Sequence, residues 1–321
     1  MAPMRSIRHP GPIASERFAA MPCAAAPLTL RLETGSSVND AVAQALADAG
    51  FGGGYIRLRN ARLDPMRYVI PAASPDGTHA AWYSDTFAPE GMTVIEDAGL
   101  VAGRRDEQPF LHCHGIWRTP DGVRRMGHLL PLDSHLAEPV EVTAWGIEGA
   151  LFDVRDDTET NFRLFAPIKA PVLEHFAAKR LRLASDKMRQ SKELERVFGS
   201  PKTQSAPGER RGRRAAICTV KPNEDIGQAI EAVCRRHGFD HASIQGIGSL
   251  VGADFDDGSA VSSYATEVLV TDGAVRSGRC TLDIALVGMD GVISAGRLRR
   301  DANPVCVTFE LLVVASDEEP A

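Results

Sequence analysis

The chain has 321 residues, of which 44% are hydrophobic and 24% charged, and its formal net charge is −6. These values are typical of an ordinary globular protein with room for two domains. No apolar run reaches the roughly 20 residues of a membrane-spanning helix, which excludes a helical membrane protein. Six cysteines without a Cys-x-x-Cys pair indicate reduced thiols, and we expect a cytoplasmic protein.

The N-terminal segment and a central segment differ from the rest in charge. Residues 1–27 are basic and rich in alanine, and two prolines interrupt their apolar stretch. We interpret them as a disordered tail and not as a signal peptide. Residues 168–214 carry thirteen Lys or Arg against five Asp or Glu, so they bear +8 and the remainder bears −14. We predict a basic bridge over 167–214, with a helix over 172–198 followed by a flexible linker.

Two parts of the chain share one sequence pattern. Residues 28–51 align without a gap to residues 216–239, and each part reads as a strand, a polar turn and an amphipathic helix ended by glycine. Several strand patterns follow in both parts. Helices beside a mostly antiparallel sheet make an α+β domain. We therefore predict two tandem α+β copies, over 28–166 and 215–316.

Three histidines in the first copy are the strongest functional signal. His112 and His114 lie two residues apart in a predicted strand, so their side chains share one face. The dipeptide Asp121-Gly122 predicts a turn that brings His128 back beside them. The pattern therefore predicts three imidazoles that converge on one point.

A metal ion is the interpretation we favour for these imidazoles. Phe110 and Ile116 share the face of the histidines, which indicates that this face is buried rather than exposed to solvent. A buried imidazole needs partners for both nitrogens, and two on one face are hard to satisfy without a metal or acidic neighbours. Three nitrogen ligands with an open position are typical of an accessible zinc site, although nickel, copper or iron would also accept them. Cys113 points to the opposite face and is predicted to be a core residue.

Other residues are weaker candidates for chemistry. Glu141, in the last strand of the first copy, is the best candidate for an acid that faces the metal, although an ordinary surface charge is the reading we favour. Arg57 or Arg59 would bind a substrate carboxylate if their loop faces the site. The segment from Gly246 to Gly252 lacks both the spacing and the helix of a dinucleotide-binding loop, so we interpret its glycines as a bulge or a close backbone contact.

A run of arginines in the bridge is the candidate for nucleic-acid binding. Its Arg-Gly-Arg core is similar to that of an AT-hook, which inserts arginines into the minor groove. The flanking prolines of such a motif are absent, and a solvated linker is the interpretation we favour. The candidate residues are Arg210, Arg211, Arg213 and Arg214.

These motifs together resemble the plants-and-prokaryotes-conserved domain, abbreviated PPC. The first copy supplies the His-x-His strand, the Asp-Gly turn and the segment from Gly127 to Leu130, and the second supplies Gly246-Ile-Gly248 after its helix. The resemblance implies a compact α+β domain that forms trimers. Members of the family are stand-alone proteins in bacteria, and in plants the domain is joined to a DNA-binding AT-hook. The fold is also similar to that of acetolactate decarboxylase, a zinc enzyme, which implies a metal-ligand role for the three histidines.

The two copies depart from this pattern in different ways. In the second copy, Thr281, Asp283 and Arg297 stand where the first copy has its three histidines. In the first copy, the segment that begins at Arg57 replaces the glycine element. We interpret this as one copy that binds metal and one that serves structure or assembly.

Three hypotheses follow for the function. The favoured one is a binding and assembly module with a metal site in the first copy, which self-associates and binds a small ligand. The alternative is a zinc-dependent enzyme that acts on a small carboxylate or carbonyl substrate, because an open metal position would polarise it. The third is a DNA-associated regulator that uses the arginines of the bridge.

Overall fold

The structure is a computed structural model that describes residues 5–170 and 212–316. The first half contains β1 (Phe18–Leu32), α1 (Val38–Ala49), β2 (Gly54–Leu58), β3 (Ala61–Leu63), β4 (Tyr68–Val69), β5 (Pro71–Ala72), β6 (Trp82–Tyr83), β7 (Thr93–Arg105), β8 (Gln108–Arg118), β9 (Arg124–Leu129), β10 (Val140–Glu148), β11 (Ala150–Asp156) and β12 (Arg163–Lys169). The second half contains β13 (Arg213–Val220), α2 (Ile226–His237), β14 (Ala242–Leu250), β15 (Ala253–Asp254), β16 (Ala260–Val261), β17 (Thr266–Arg276), β18 (Arg279–Gly288), β19 (Ile293–Arg297) and β20 (Val305–Ala315). None of the helices in these residues is long and apolar enough to cross a membrane.

One mostly antiparallel sheet runs through both halves. Its strand order is β19-β18-β17-β14-β20-β13-β1-β10-β2-β7-β8-β9-β4. The two halves follow the same order outward from the central β13–β1 pair: each places its first strand at the centre, and β20 in one half and β10 in the other lie next to it. At this seam β1 and β13 pair antiparallel from Phe18 opposite Val220 to Ala25 opposite Arg213. The predicted α+β fold and the duplication are therefore confirmed.

Each half places its helix after its first strand, as the sequence predicts. The hydroxyl of Ser37 accepts a hydrogen bond from the Asp40 backbone amide at 3.1 Å and caps α1. Asp225 caps α2 in the same way, through the amide of Gln228. Both helices end at a glycine with positive φ, which removes the strain that a side chain would suffer in this conformation.

Three hydrophobic cores organise the layers. Each helix covers one face of its own half, and the two helix-side cores are separate. A third core, which we call the inter-half core, joins the opposite faces of the two halves and contains Val101, Ile116, Ile247 and Leu269. The halves therefore pack against each other through buried side chains as well as through the β1–β13 seam.

The structure corrects two predicted boundaries. Strand β1 begins at Phe18, inside the segment predicted to be a disordered tail, because its backbone pairs with β13. The residues before it are also held: Arg17 binds Glu159 at 2.8 Å, and the amide of Ile7 donates to the Asn223 side chain at 2.8 Å. At the other boundary, β13 begins at Arg213, inside the predicted linker. The predicted helix over 172–198 lies outside the described residues.

Candidate metal centre

The three histidines come from two neighbouring strands of the first half. His112 and His114 alternate with Cys113 along β8, and Cys113 is fully buried in the helix-side core. A turn at Gly122, whose φ is +80°, leads into β9. There His128 pairs directly opposite His114. Strand alternation and a tight turn thus bring the three side chains to the same face, as predicted from the sequence.

Their nitrogen atoms converge. The Nε2 atoms of His112 and His114 are 3.0 Å apart. One nitrogen from each of the three rings lies within 4.8 Å of the others. A common ion about 2.0–2.1 Å from each nitrogen requires them to lie within about 4.2 Å of one another, so the rings would close in slightly around zinc.

The outer nitrogens of two rings are held by residues of the second half. The Nδ1 atom of His112 contacts the carboxylate of Glu310, which is 1% exposed. The Nδ1 atom of His114 lies 3.0 Å from the carbonyl oxygen of Val268. Because both partners accept hydrogen bonds, each Nδ1 carries a proton and donates it to its partner. Each Nε2 faces the centre of the histidine cluster. This is the arrangement by which metal-ligating histidines are oriented in proteins.

A second carboxylate of the second half enters the centre itself. Oε2 of Glu267 lies 2.7 Å from Nε2 of His114, and both side chains are buried. Burial opposes the charged form of His114, but Glu267 and the Val268 carbonyl outweigh it and raise the pKa of this imidazole. Ligation requires a neutral imidazole, so a metal ion has to displace the proton on Nε2. Glu267 is positioned to take that proton.

His128 completes the fit to a metal. Its Nδ1 atom is buried and has no hydrogen-bond partner among the described residues. Burial, followed by the charges of His112 and His114, holds the pKa of His128 well below its usual value. The ring is therefore neutral, as a ligand must be, and its unpaired buried nitrogen would gain a partner in an ion. On these observations the donor set fits a divalent transition metal.

The glycine element of the second copy also lies at this centre. Gly246 and Gly248 of β14 pair with the two β20 residues on either side of Glu310. A Cβ atom at Gly248 would lie 2.6 Å from the Cα of Phe309, so only glycine lets β14 approach β20 this closely. The predicted close backbone contact is therefore present, and it supports the strand that carries Glu310.

A cavity of about 320 Å³ opens beside the histidines. Both halves line it, and most of the lining side chains other than the histidines and carboxylates are apolar or aromatic. The loop that carries β6 forms part of the wall, and the ring of Tyr83 packs edge-on against His128 at 5.2 Å between centroids. The centre thus faces a partly open cavity that a small molecule would fill.

Three weaker candidates lie away from the histidine cluster. Glu141 is exposed on β10, opposite Arg31 of β1, and does not line the cavity. Arg57 and Arg59 both pair with Asp97, at 2.5 and 3.0 Å, and line a different depression. The prediction of a site-facing Glu141 and an arginine clamp at 57 or 59 is corrected: the acids at the centre are Glu267 and Glu310.

Two of the four candidate DNA-binding arginines are in the sheet. Arg213 and Arg214 open β13, and their guanidinium groups stack over the rings of Trp145 and Phe239 at 5.8 and 5.2 Å. Arg214 also donates to the carbonyl of His237. Arg210 and Arg211 lie outside the described residues.

The second half has an ion pair where the first has its histidines. Arg297 pairs with Asp283 in register, as His128 does with His114, and their side chains form a salt bridge at 2.8 Å. Thr281 is exposed nearby. Among the described residues the histidine cluster therefore occurs once, in the first half.

The fold and the centre define a class: a duplicated α+β protein with a three-histidine cluster between its halves. Residues 208–317 match the family model of the Plants and Prokaryotes Conserved (PCC) domain. The first half repeats the strand order of that domain. A search of curated proteins found no match.

Several solved structures are similar to half of this chain. A PPC protein of Pyrococcus horikoshii has 14% identity and a TM-score of 0.36, and the match covers 49% of this chain and 100% of that protein. A metal-containing protein of Archaeoglobus fulgidus has 18% identity, a TM-score of 0.35, and coverage of 51% and 99%. A protein of Ralstonia eutropha JMP134, whose name proposes DNA binding, has 13% identity, a TM-score of 0.31, and coverage of 43% and 89%.

Proposed function

We propose that the protein is a metal-dependent small-molecule-binding protein, with one divalent transition metal ion held by His112, His114 and His128. One observation carries the proposal: two Nε2 atoms meet at 3.0 Å while the Nδ1 atom of each ring is held by an acceptor from the other half. Structural zinc sites close with four protein ligands, whereas three histidines leave a position for a ligand from the cavity. Zinc suits three imidazoles, and nickel, copper and iron are the competitors.

The two halves contribute different parts of this function. The predicted copy over 28–166 supplies the metal ligands, and the copy over 215–316 supplies the groups that orient them. Glu310 fixes the ring of His112, and Val268 fixes that of His114. We propose that neither half binds the metal tightly alone, because each lacks what the other provides.

A specific contact favours the second candidate, a zinc-dependent enzyme. When bound, the ion would polarise a carbonyl group or activate a water molecule. Glu267 lies 2.7 Å from a ligating nitrogen and is nearly buried, so its carboxylate is placed to hold a proton at the centre. The apolar cavity walls would exclude bulk water and strengthen these electrostatic contacts.

Metal analysis of purified protein tests the proposal. The full chain and the variants His114→Ala and His128→Ala are loaded with zinc, desalted and analysed by inductively coupled plasma mass spectrometry. We expect about one ion per wild-type chain and a loss of most of it in both variants. His237→Gln, at the end of α2, is the control and keeps its metal. Equal metal in the wild type and both variants, with unchanged circular dichroism, refutes the proposal.

Self-association and DNA binding remain proposals that need separate tests. Light scattering after size exclusion gives the number of chains per particle, and a trimer is expected from the family resemblance. An electrophoretic mobility shift at physiological salt tests DNA binding, since arginine–phosphate contacts weaken strongly as salt rises. Removal of 199–212 abolishes any shift if the basic bridge binds DNA, and an unchanged shift excludes that segment.

A further inference from the structure

We propose that the ligand of the cavity is a compact organic acid, one end of which binds the metal while a distal carboxylate binds Arg105. This inference rests on the proposed metal site and names the class of molecule that the site would take. It follows from three features of the cavity: an arginine without an acidic partner, the straight row of side chains that connects it to the histidines, and the apolar walls between them.

Arg105 is the first of these features. It is the last residue of β7, it lines the cavity, and its guanidinium carbon lies 4.0 Å from the centroid of the Phe110 ring. In the described part of the chain no carboxylate forms an ion pair with it. Its neighbours differ: Arg104 pairs with Asp153 at 2.7 Å, and Arg163 pairs with Asp106 at 2.6 Å. Arg105 is thus a half-buried cation, fixed on an aromatic ring, whose hydrogen-bond donors are free for an anion.

The second feature is the row of side chains along β8. Phe110, His112 and His114 share one face of the strand, so Arg105 stands beside the first member of a row that ends in the metal cluster. A strand rises about 3.4 Å per residue, which places Phe110 about 7 Å from His112 and about 14 Å from His114 along the strand. A ligand of about five or six carbon atoms spans the shorter of these distances, from the Phe110 end of the row to the metal at His112.

The third feature is the chemistry of the walls. Val154, Phe162 and Phe165 line the cavity, and Phe110 packs on Phe165 at 5.9 Å between centroids. These walls favour a hydrocarbon middle section and disfavour a strongly hydrated phosphate. The cavity volume of about 320 Å³ lies at the lower end of small-molecule sites, which restricts the ligand to a compact acid.

Calorimetry on the zinc-loaded full chain tests the inference. The probes are adipate, a six-carbon dicarboxylate, and adipamate, in which an amide replaces one carboxylate. We expect wild-type protein to bind adipate about tenfold more tightly than adipamate, because only adipate offers Arg105 a carboxylate while its other carboxylate is at the metal. In Arg105→Gln this preference disappears and adipate binds at least about tenfold more weakly. Arg104→Gln is the matched control, one residue away and already paired, and it retains the preference.

Metal content, measured on the same samples, separates failure of this inference from failure of the metal proposal. If Arg105→Gln keeps its zinc and binds adipate as the wild type does, or if zinc-loaded wild type does not bind adipate at millimolar concentration, the inference is overturned and the metal proposal stands. If wild type contains no zinc, the metal proposal fails, and adipate binding that still depends on Arg105 supports the carboxylate contact alone. Tighter binding of pentylphosphonate than of hexanoate overturns the choice of a carboxylate head group.

Discussion

Replacement of Glu310 by glutamine tests whether the second half tunes the metal centre of the first. Glu310 is 1% exposed and contacts Nδ1 of His112, so its carboxylate holds the proton there and leaves Nε2 for the ion. Glutamine has nearly the same shape, and its amide oxygen still accepts a hydrogen bond. The change therefore removes the negative charge that orients His112 for the ion, with little change in packing.

The expected loss of zinc affinity follows from the role of groups that, like Glu310, hold a metal-ligating histidine by its outer nitrogen. Their loss weakens metal affinity by about 10–100-fold, or about 1.4–2.7 kcal/mol. Because glutamine preserves the tautomer of His112, we expect Glu310→Gln near the lower limit. Glu310→Ala removes the acceptor of a buried N–H group as well, and we expect it near the upper limit. Competition for zinc against a chromophoric chelator measures both affinities.

Glu141→Gln is the matched control for these variants. Glu141 is a carboxylate of β10, the strand of the first half that corresponds to β20, which carries Glu310, but it is exposed. Its replacement should leave zinc affinity within about twofold of the wild type, since an exposed charge is screened by solvent. If Glu310→Gln also binds zinc within twofold of wild type while His112→Ala loses it, the reasoning on the outer partner is refuted.

Three further predictions concern the packing of the halves and the thiols. Gly99→Ala places a Cβ atom 2.8 Å from Leu269 and against the Tyr55 hydroxyl, so we expect a loss of about 1–3 kcal/mol in urea denaturation; an unchanged midpoint contradicts the close contact of the halves. Arg17→Ala leaves the buried carboxylate of Glu159 without its partner, and should cost about 3 kcal/mol in the same assay, whereas a loss below about 0.5 kcal/mol contradicts it. Burial raises the pKa of all six cysteine thiols, that of Cys306 to about 12, so at pH 8 only on the order of one Cys306 thiol in ten thousand is ionised. Ellman's reagent should therefore react with the native protein far more slowly than with the unfolded chain, and equal rates contradict this.

The three-histidine cluster could be predicted from the sequence because its arrangement is local. Strand alternation places His112 and His114 on one face, and a turn with a glycine at positive φ fixes where His128 returns. Both helices could be predicted for the same reason, since a capping side chain and a terminal glycine mark their ends. Each of these features depends on residues a few positions apart, for which sequence patterns are informative.

The carboxylates of the centre could not be assigned in this way. Glu267 and Glu310 lie about 150–200 residues from the histidines they contact, and their positions depend on how the halves pack. One signal was available for Glu310: it is the single acid in the mostly apolar β20, and a buried charge needs a partner. Strand β17 carries Asp272 as well as Glu267, so its sequence does not single out either acid. The sequence favours Glu141 because it lies just beyond the histidines in the same copy. In the structure the partner groups come from the other copy instead.

The second copy lacks the three histidines and the first copy lacks the glycine element. Both losses follow from a site that the two copies share. In a pair related by duplication, each half can present its histidine face to the other, so two equivalent centres are available. At one of them, His112 and its neighbours meet Glu310 of the opposite half, next to the glycines of β14. At the position equivalent to Glu310 the first half has Trp145, which offers no carboxylate. An unsupported histidine cluster there would lack its orienting acid, and Asp283 and Arg297 form a salt bridge instead. Each copy therefore retains only the part that the single remaining centre uses, and asymmetry in the sequence is the expected result of one site built from two halves.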